Sequence, residues 1–287
     1  MTMKGLIRHV FDKMRSPSFA IISLIYVSFC IFSAVWWSVN FRMSYLIMSL
    51  AFILFIPIIP MAEYLMGIRL GAPFCVMVLS IAVGSILGTP FDMYTAFPHL
   101  DTILHGLSGF VFALFGFGVA ERFFGRAEQG KKLVGTVLFG LCFSLAVAVF
   151  WEIHEYLCTV LLDMEMMDDS YVFDIKSFVL GGSRAEPVVI DGITKTVIYY
   201  GDGETFVMNG YLDLGLIDTL ADMIICTVGA VAFSIFGVIT GIKCPKVLRS
   251  LVPCAPCDTM GGIREQEHDE ITLGEESSGA DVEISKS

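Results

Sequence analysis

The chain is a series of long apolar runs separated by short polar stretches. Apolar runs of roughly 20 residues, enough to cross about 30 Å of hydrocarbon, recur six times. They predict membrane-spanning helices at about 18–39, 43–66, 71–89, 100–122, 134–160 and 214–241. The first run follows the basic segment MTMKGLIRHVFDKMRS. Its length, and the want of a small-residue cleavage site, make it a retained span rather than a signal peptide. Between the fifth and sixth runs lies a long link, 163–213. It opens with DMEMMDD, and β-branched runs then flank Asp191-Gly192 and lead to Gly201-Asp202-Gly203. That pattern predicts a β-hairpin or three-stranded meander. No internal repeat of the transporter kind is present.

Composition agrees with the pattern. Only 16% of the 287 residues are charged and 55% are hydrophobic, against roughly 25% charged in a soluble domain, so the runs belong to an integral membrane protein. Much of the net charge of −11 falls in the C-terminal stretch DTMGGIREQEHDEITLGEESSGADVEISKS, which has no aromatic residue and predicts a disordered, solvated tail. Nothing is basic enough for nucleic-acid binding. The basic residues lie in alternate connections: Lys4, Arg8, Lys13 and Arg15, then Arg69, then Arg122, Arg126, Lys131 and Lys132, then Lys243, Lys246 and Arg249. The other short loops carry only Arg42, so the positive-inside rule places both termini in the cytoplasm. The expected organisation is all-α. A basic cytoplasmic N-terminus (1–17) precedes a six-helix transmembrane domain (18–242) with a small β insertion in an extracytoplasmic loop (163–213). A cytoplasmic tail (243–287), disordered after about 258, follows.

Cys30, Cys75, Cys142, Cys158 and Cys226 lie in apolar runs, where cysteine behaves as a small hydrophobe. Cys254 and Cys257 form a C-x-x-C, with Cys244 upstream and His268 downstream. This is either a cytoplasmic metal or redox site or a membrane-proximal tail that carries cysteines.

The candidate chemistry is charge in the wrong solvent. Asp101 and His105 stand four apart, Glu152 and Glu155 three apart, and Asp218 and Asp222 four apart, so each pair shares a helix face. The predicted orientation brings all three pairs to one depth in the outer leaflet. Intramembrane charge is expensive, and five carboxylates around one imidazole, with no Lys or Arg in that half of the runs, cannot all stay ionised. A bound metal, shared protons, or a basic group from elsewhere (Arg42 or Arg184) would relieve them. Oxygen donors with one imidazole suit Mg²⁺, Mn²⁺, Fe²⁺ or Zn²⁺. The candidate ligands are therefore Asp101, His105, Glu152, Glu155, Asp218 and Asp222. Glu152, His105 and Asp222, the deepest, are the candidates for catalytic roles.

A plainer reading stands beside this one. Asp101 and Asp218, next to Thr102 and Thr219, also suit helix N-termini, where the dipole favours acids, and Glu155 suits the headgroup level. Glu63 is expected at the opposite interface, paired with Arg69. His154 is expected near the surface and His99 in a loop. Gly106, Gly109, Gly116 and Gly118 allow close helix contact and put the fourth helix at the bundle centre.

HLDTILHGLSGFVFAL, FWEIHEYL and DTLADMIICTVGA together resemble the YjdF-like family of bacterial inner-membrane proteins. The resemblance rests on an Asp-x3-His helix (Asp101, His105), a Trp-Glu-x2-Glu helix (Trp151, Glu152, Glu155) and an Asp-Thr-x2-Asp-Met helix (Asp218, Thr219, Asp222, Met223). In outline these also resemble VanZ-like proteins, which have Asp-Lys in place of Asp-Thr and Glu-x2-Gln in place of Glu-x2-Glu. The resemblance covers the last three spans and implies a bacterial plasma-membrane protein, with no particular reaction. The residues themselves suggest a metal-dependent enzyme acting on a lipid or lipid-linked envelope substrate. The alternatives are a cation- or proton-coupled transporter and a scaffold or immunity-type protein that binds an envelope partner through 163–213.

Overall fold

The polar segment ahead of the first apolar run is itself helical. The computed structural model describes residues 2–253 apart from 89, 128, 165, 183 and 184. The acidic tail, the Cys254/Cys257 pair, His268 and Arg184 lie outside the described residues. Helix α1 (Met3–Arg15) is capped by Thr2, whose Oγ1 accepts from the Gly5 amide at 3.2 Å. Pro17 then opens α2 (Pro17–Val39), at a position where the missing N–H has no helical partner to lose.

The second apolar run holds α3 (Met43–Phe52) and α4 (Phe55–Met66), broken at Ile53-Leu54. Pro57 and Pro60 follow the break, and each removes an amide donor. The Tyr26 hydroxyl donates to the Phe52 carbonyl at 3.0 Å. Next come α5 (Ala72–Gly88), the single turn α6 (Met93–Ala96), α7 (Leu100–Phe124) and α8 (Gly130–Leu162). After the 163–213 link, α9 (Leu216–Lys243) and α10 (Pro245–Leu251) complete the described chain.

Among the described residues five segments are long and apolar enough to cross a membrane: α2, α3 with α4, α7, α8 and α9. Helix α5, expected as a further span, has 17 residues, a rise of about 26 Å against roughly 30 Å of hydrocarbon.

The bundle centre is the trio α7, α8 and α9, with α5 against α7. Glycines set the spacing, as anticipated for α7. A Cβ on Gly109 would collide with the Cys226 carbonyl, and one on Gly229 with the Gly106 carbonyl, so α7 and α9 meet backbone to backbone. Helix α3 packs on α2 and touches α5, and α4 carries α1.

The two ends of the bundle differ. At the base, Glu63 is buried and its carboxylate is held from three directions. Lys13 Nζ and the Leu70 amide each donate to Oε1 at 2.6 Å, and His9 Nε2 lies 3.2 Å from Oε2. The expected Arg69 partner is exposed instead, because docking of α1 on α4 supplies Lys13 first. Arg249 of α10 pairs there with Glu121, whose other oxygen accepts from the Ala127 amide at 2.8 Å.

The opposite end, the mouth, carries the 163–213 link. Strands β1 (Ser170–Val172) and β6 (Tyr211–Asp213) pair antiparallel. Within them β2 (Ile175–Ser177) pairs with β3 (Val188–Ile190), and β4 (Thr196–Tyr200) with β5 (Glu204–Met208). These are three two-stranded ladders in place of a three-stranded meander. The β4–β5 turn is Gly201-Asp202-Gly203, with both glycines at positive φ. Asp191-Gly192 only links β3 to β4, since each has found another partner.

Candidate functional site

Helical period places Asp101 and His105 one turn apart at the mouth end of α7, and the glycine contact brings α9 close enough for Asp222 to meet them. His105 Nε2 lies 3.5 Å from Asp101 Oδ1 and 3.8 Å from Asp222 Oδ2. One donor atom from each of the three lies within 4.8 Å of the others. Four-coordinate donors about 2.1 Å from an ion stand roughly 3.4 Å apart, so the trio would have to draw together to hold one, its widest pair the most.

The other face of the imidazole is different. His105 Nδ1 lies 4.0 Å from Glu152 Oε1 and 3.7 Å from Cys226 Sγ. Glu152 is 7% exposed, and both its oxygens are buried without a hydrogen-bond partner among the described residues, as is Thr219 Oγ1. Cys226 and Ser108 both donate to the His105 carbonyl, at 3.3 and 2.8 Å.

Three of the six sequence candidates lie outside the trio: Glu152, beside the imidazole Nδ1, and Glu155 and Asp218, which have other partners. Glu155 Oε1 accepts from Trp151 Nε1 at 2.8 Å, and Asp218 Oδ2 accepts from the Asp168 amide at 2.9 Å. Asp101 and Asp218 do occupy first helical turns, but neither is a side-chain cap. Asp101 thus combines the first-turn position with a contact to His105. His154 and His99 are exposed, as expected.

Asp101, His105, Ser108, Glu155, Asp218, Asp222 and Cys226 line one cavity, with Glu152 behind its wall. The space within it open to the centre of a water molecule is ≈ 90 Å³, room for several waters. Acids crowd its mouth: Asp101, Asp168, Asp218, Asp222 and Glu155. Its inner part is lined by Phe52, Phe55, Val78, Ile81 and Phe112. Among the described residues no Lys or Arg lines it, and Arg42 is exposed at the start of α3. Outside the spans, partial burial and the neighbouring Asp101 and Asp169 carboxylates push the Asp168 carboxyl above its ordinary range. Burial and Asp101 push up the Tyr94 phenol, which lines the cavity from α6.

Among the lining residues that sequence reasoning did not single out are Cys226, Tyr94 and Asp168. Cys226 was legible in principle, one turn beyond Asp222 on the same face of α9. Tyr94 and Asp168 come from connecting segments and carry no periodic signal.

A family model described as a predicted membrane protein, DUF2238, matches residues 19–177, more than half of the chain. The matched segment contains Asp101, His105, Glu152 and Glu155 and stops before α9, so it overlaps only part of the last three spans on which the sequence resemblance rested. No curated protein and no solved structure matches the chain.

Proposed function

The chain belongs to that family of predicted membrane proteins, and we propose that it is a metal-dependent enzyme of the bacterial plasma membrane, acting at the outer leaflet on a lipid or lipid-linked substrate. In this reading both termini are cytoplasmic, the mouth faces outward, and α5 is the sixth crossing.

The observation that carries the reading is the convergence of Asp101, His105 and Asp222 on a cavity that is acidic at its mouth and apolar within. The donor set fits a divalent ion: two carboxylates, one imidazole and open space beside them. Such an ion supplies Lewis acidity toward water or toward a phosphoryl or carbonyl oxygen. His105 presents Nε2 to the site. Its Nδ1, 3.7 Å from Cys226 Sγ, also faces Glu152 at 4.0 Å; closing that gap would form the carboxylate–histidine arrangement that orients a ligating imidazole and would give Glu152 a role as a positioning residue. The Trp151 indole fixes Glu155 at the cavity wall. Asp218 ties the link to α9 through the Asp168 amide.

Transport is the weaker alternative. Toward the base the bundle is filled by Val111, Leu114, Phe117 and Phe233, all wholly buried, with no polar continuation of the cavity among them.

The test is metal content by mass spectrometry after purification in mild detergent without chelator. About one divalent ion per chain, lost in Asp222→Asn and His105→Ala, is the expected result. A folded wild-type protein without metal overturns the reading.

A further inference from the structure

The cavity is lined by the α3–α4 run, α5, α7, α8 and α9, and two of these walls, the α3–α4 run and α8, do not pack extensively on each other. On one side stand Phe52 and Phe55, from the broken α3–α4 run, whose helices pack on α2, α5 and α1. On the other stand Val147, Ala148 and Trp151 of α8, which packs on α7 and α9. At the mouth the start of α3 reaches the end of α8 through Ser44 Oγ, which donates to the Leu162 carbonyl at 3.4 Å. Below that bond both walls of the cavity are apolar, with Phe52 and Phe55 on one and Val147 and Ala148 on the other.

The mouth is complementary to positive charge. A headgroup entering there meets Asp101, Asp168, Asp218 and Asp222, with no basic side chain among the described lining residues. One divalent ion at the His105 trio offsets two negative charges and leaves Asp168, Asp218 and Glu155 unmatched, Asp168 being the most exposed of them. A purely anionic headgroup would be repelled by them. A zwitterionic one places its phosphate near the trio and its ammonium against Asp168 and Asp218.

We propose that the slot between the α3–α4 run and α8 is the binding site for one acyl chain of a zwitterionic aminophospholipid, entering sideways from the membrane with its headgroup in the acidic mouth. The proposal rests on the outer-leaflet orientation above and names the substrate class for the same site. The chain lies against Phe52, Phe55, Val78 and Ile81, where burial of apolar surface is its driving force. Phe52 and Phe55, on either side of the break at Ile53-Leu54, both line the cavity.

Photo-cross-linking tests this on the full chain in lipid nanodiscs. The probe is a phosphatidylethanolamine with a diazirine midway along one chain, and labelled peptides are mapped by mass spectrometry. Labelling is expected to concentrate on 52–55, 78–85 and 144–151. Ala82→Phe and Ala148→Phe, which place a ring in the slot from opposite walls, should lower it about tenfold, as loss of a few buried methylenes would. Ile58→Phe, on an exposed position of α4, should leave it unchanged. The wild-type map stands alone should a filled variant fail to fold. Labelling spread evenly over lipid-facing helices overturns the chain site, and equal labelling by a phosphatidylglycerol probe overturns the headgroup assignment. Metal content measured on the same samples separates the two readings. Slot labelling without metal sinks the metal site and the phosphate's place beside the trio but leaves the chain site standing, and metal without slot labelling sinks the lipid site alone.

Discussion

Glu63 and Glu152 are both carboxylates almost wholly removed from solvent, at 2% and 7% exposure, and their surroundings are opposite. Glu63 has a lysine, a histidine and a backbone amide on its oxygens. Among the described residues Glu152 has none, and it faces an imidazole 4.0 Å away. Breaking a buried pair costs about 3–5 kcal/mol, while relieving an unsatisfied buried acceptor returns about 1–3 kcal/mol. Glu63→Gln should therefore lower stability by about 2 kcal/mol, less than the full figure because Lys13 keeps 19% exposure. Glu152→Gln should raise the unfolding temperature of chelator-treated protein and weaken its hold on metal. Thermal unfolding in detergent, with and without chelator, reads both variants. If Glu152→Gln destabilises the metal-free protein as Glu63→Gln does, Glu152 has a partner after all and its positioning role falls. Glu152 stood out in the sequence because charge inside an apolar run is conspicuous by itself. The partner of Glu63 did not, because Lys13 is 50 residues away in a segment expected only as a basic cytoplasmic N-terminus.

At the scale of elements, the site depends on how closely α7 and α9 approach. Asp101 and His105 are on one, Asp222 on the other, and Gly109 and Gly229 each lie against a backbone carbonyl of the facing helix. Gly109→Ala and Gly229→Ala should each cost about 1–3 kcal/mol by overpacking and should abolish metal retention by moving Asp222 away from His105. Gly106→Ala is the control, since its added methyl would meet only Ile225 Cγ2 at an ordinary 3.5 Å. Metal content and unfolding temperature of the three variants decide this. Retained metal in Gly109→Ala would show that the trio does not depend on this contact. The glycine content of α7 was visible in the sequence. Which glycines touch a neighbour was not, because that follows from helix rotation, and α7 is apolar nearly all round.

At the scale of the whole molecule, the opposed ends of the bundle lead to a sidedness prediction. Alkaline phosphatase inserted in the Gly201-Asp202-Gly203 turn should be active, and the same enzyme fused after Ser287 inactive, with a fluorescent protein at that terminus glowing. The reverse pattern would turn the mouth toward the cytoplasm and remove the outer-leaflet reading. By itself the sequence determined membrane residence, where the long helices run, and that charges on three of them share one depth. Hydrophobic run length and helical period are local quantities, readable without knowing any neighbour. Only the tertiary structure decided that Asp101, His105 and Asp222 converge while Glu155 and Asp218 find other partners, that Cys226 and Tyr94 face the same cavity, and that strands 170–213 pair in separate ladders. Those outcomes depend on helix rotation and on competition for hydrogen-bond partners across long stretches of chain, which no local pattern encodes.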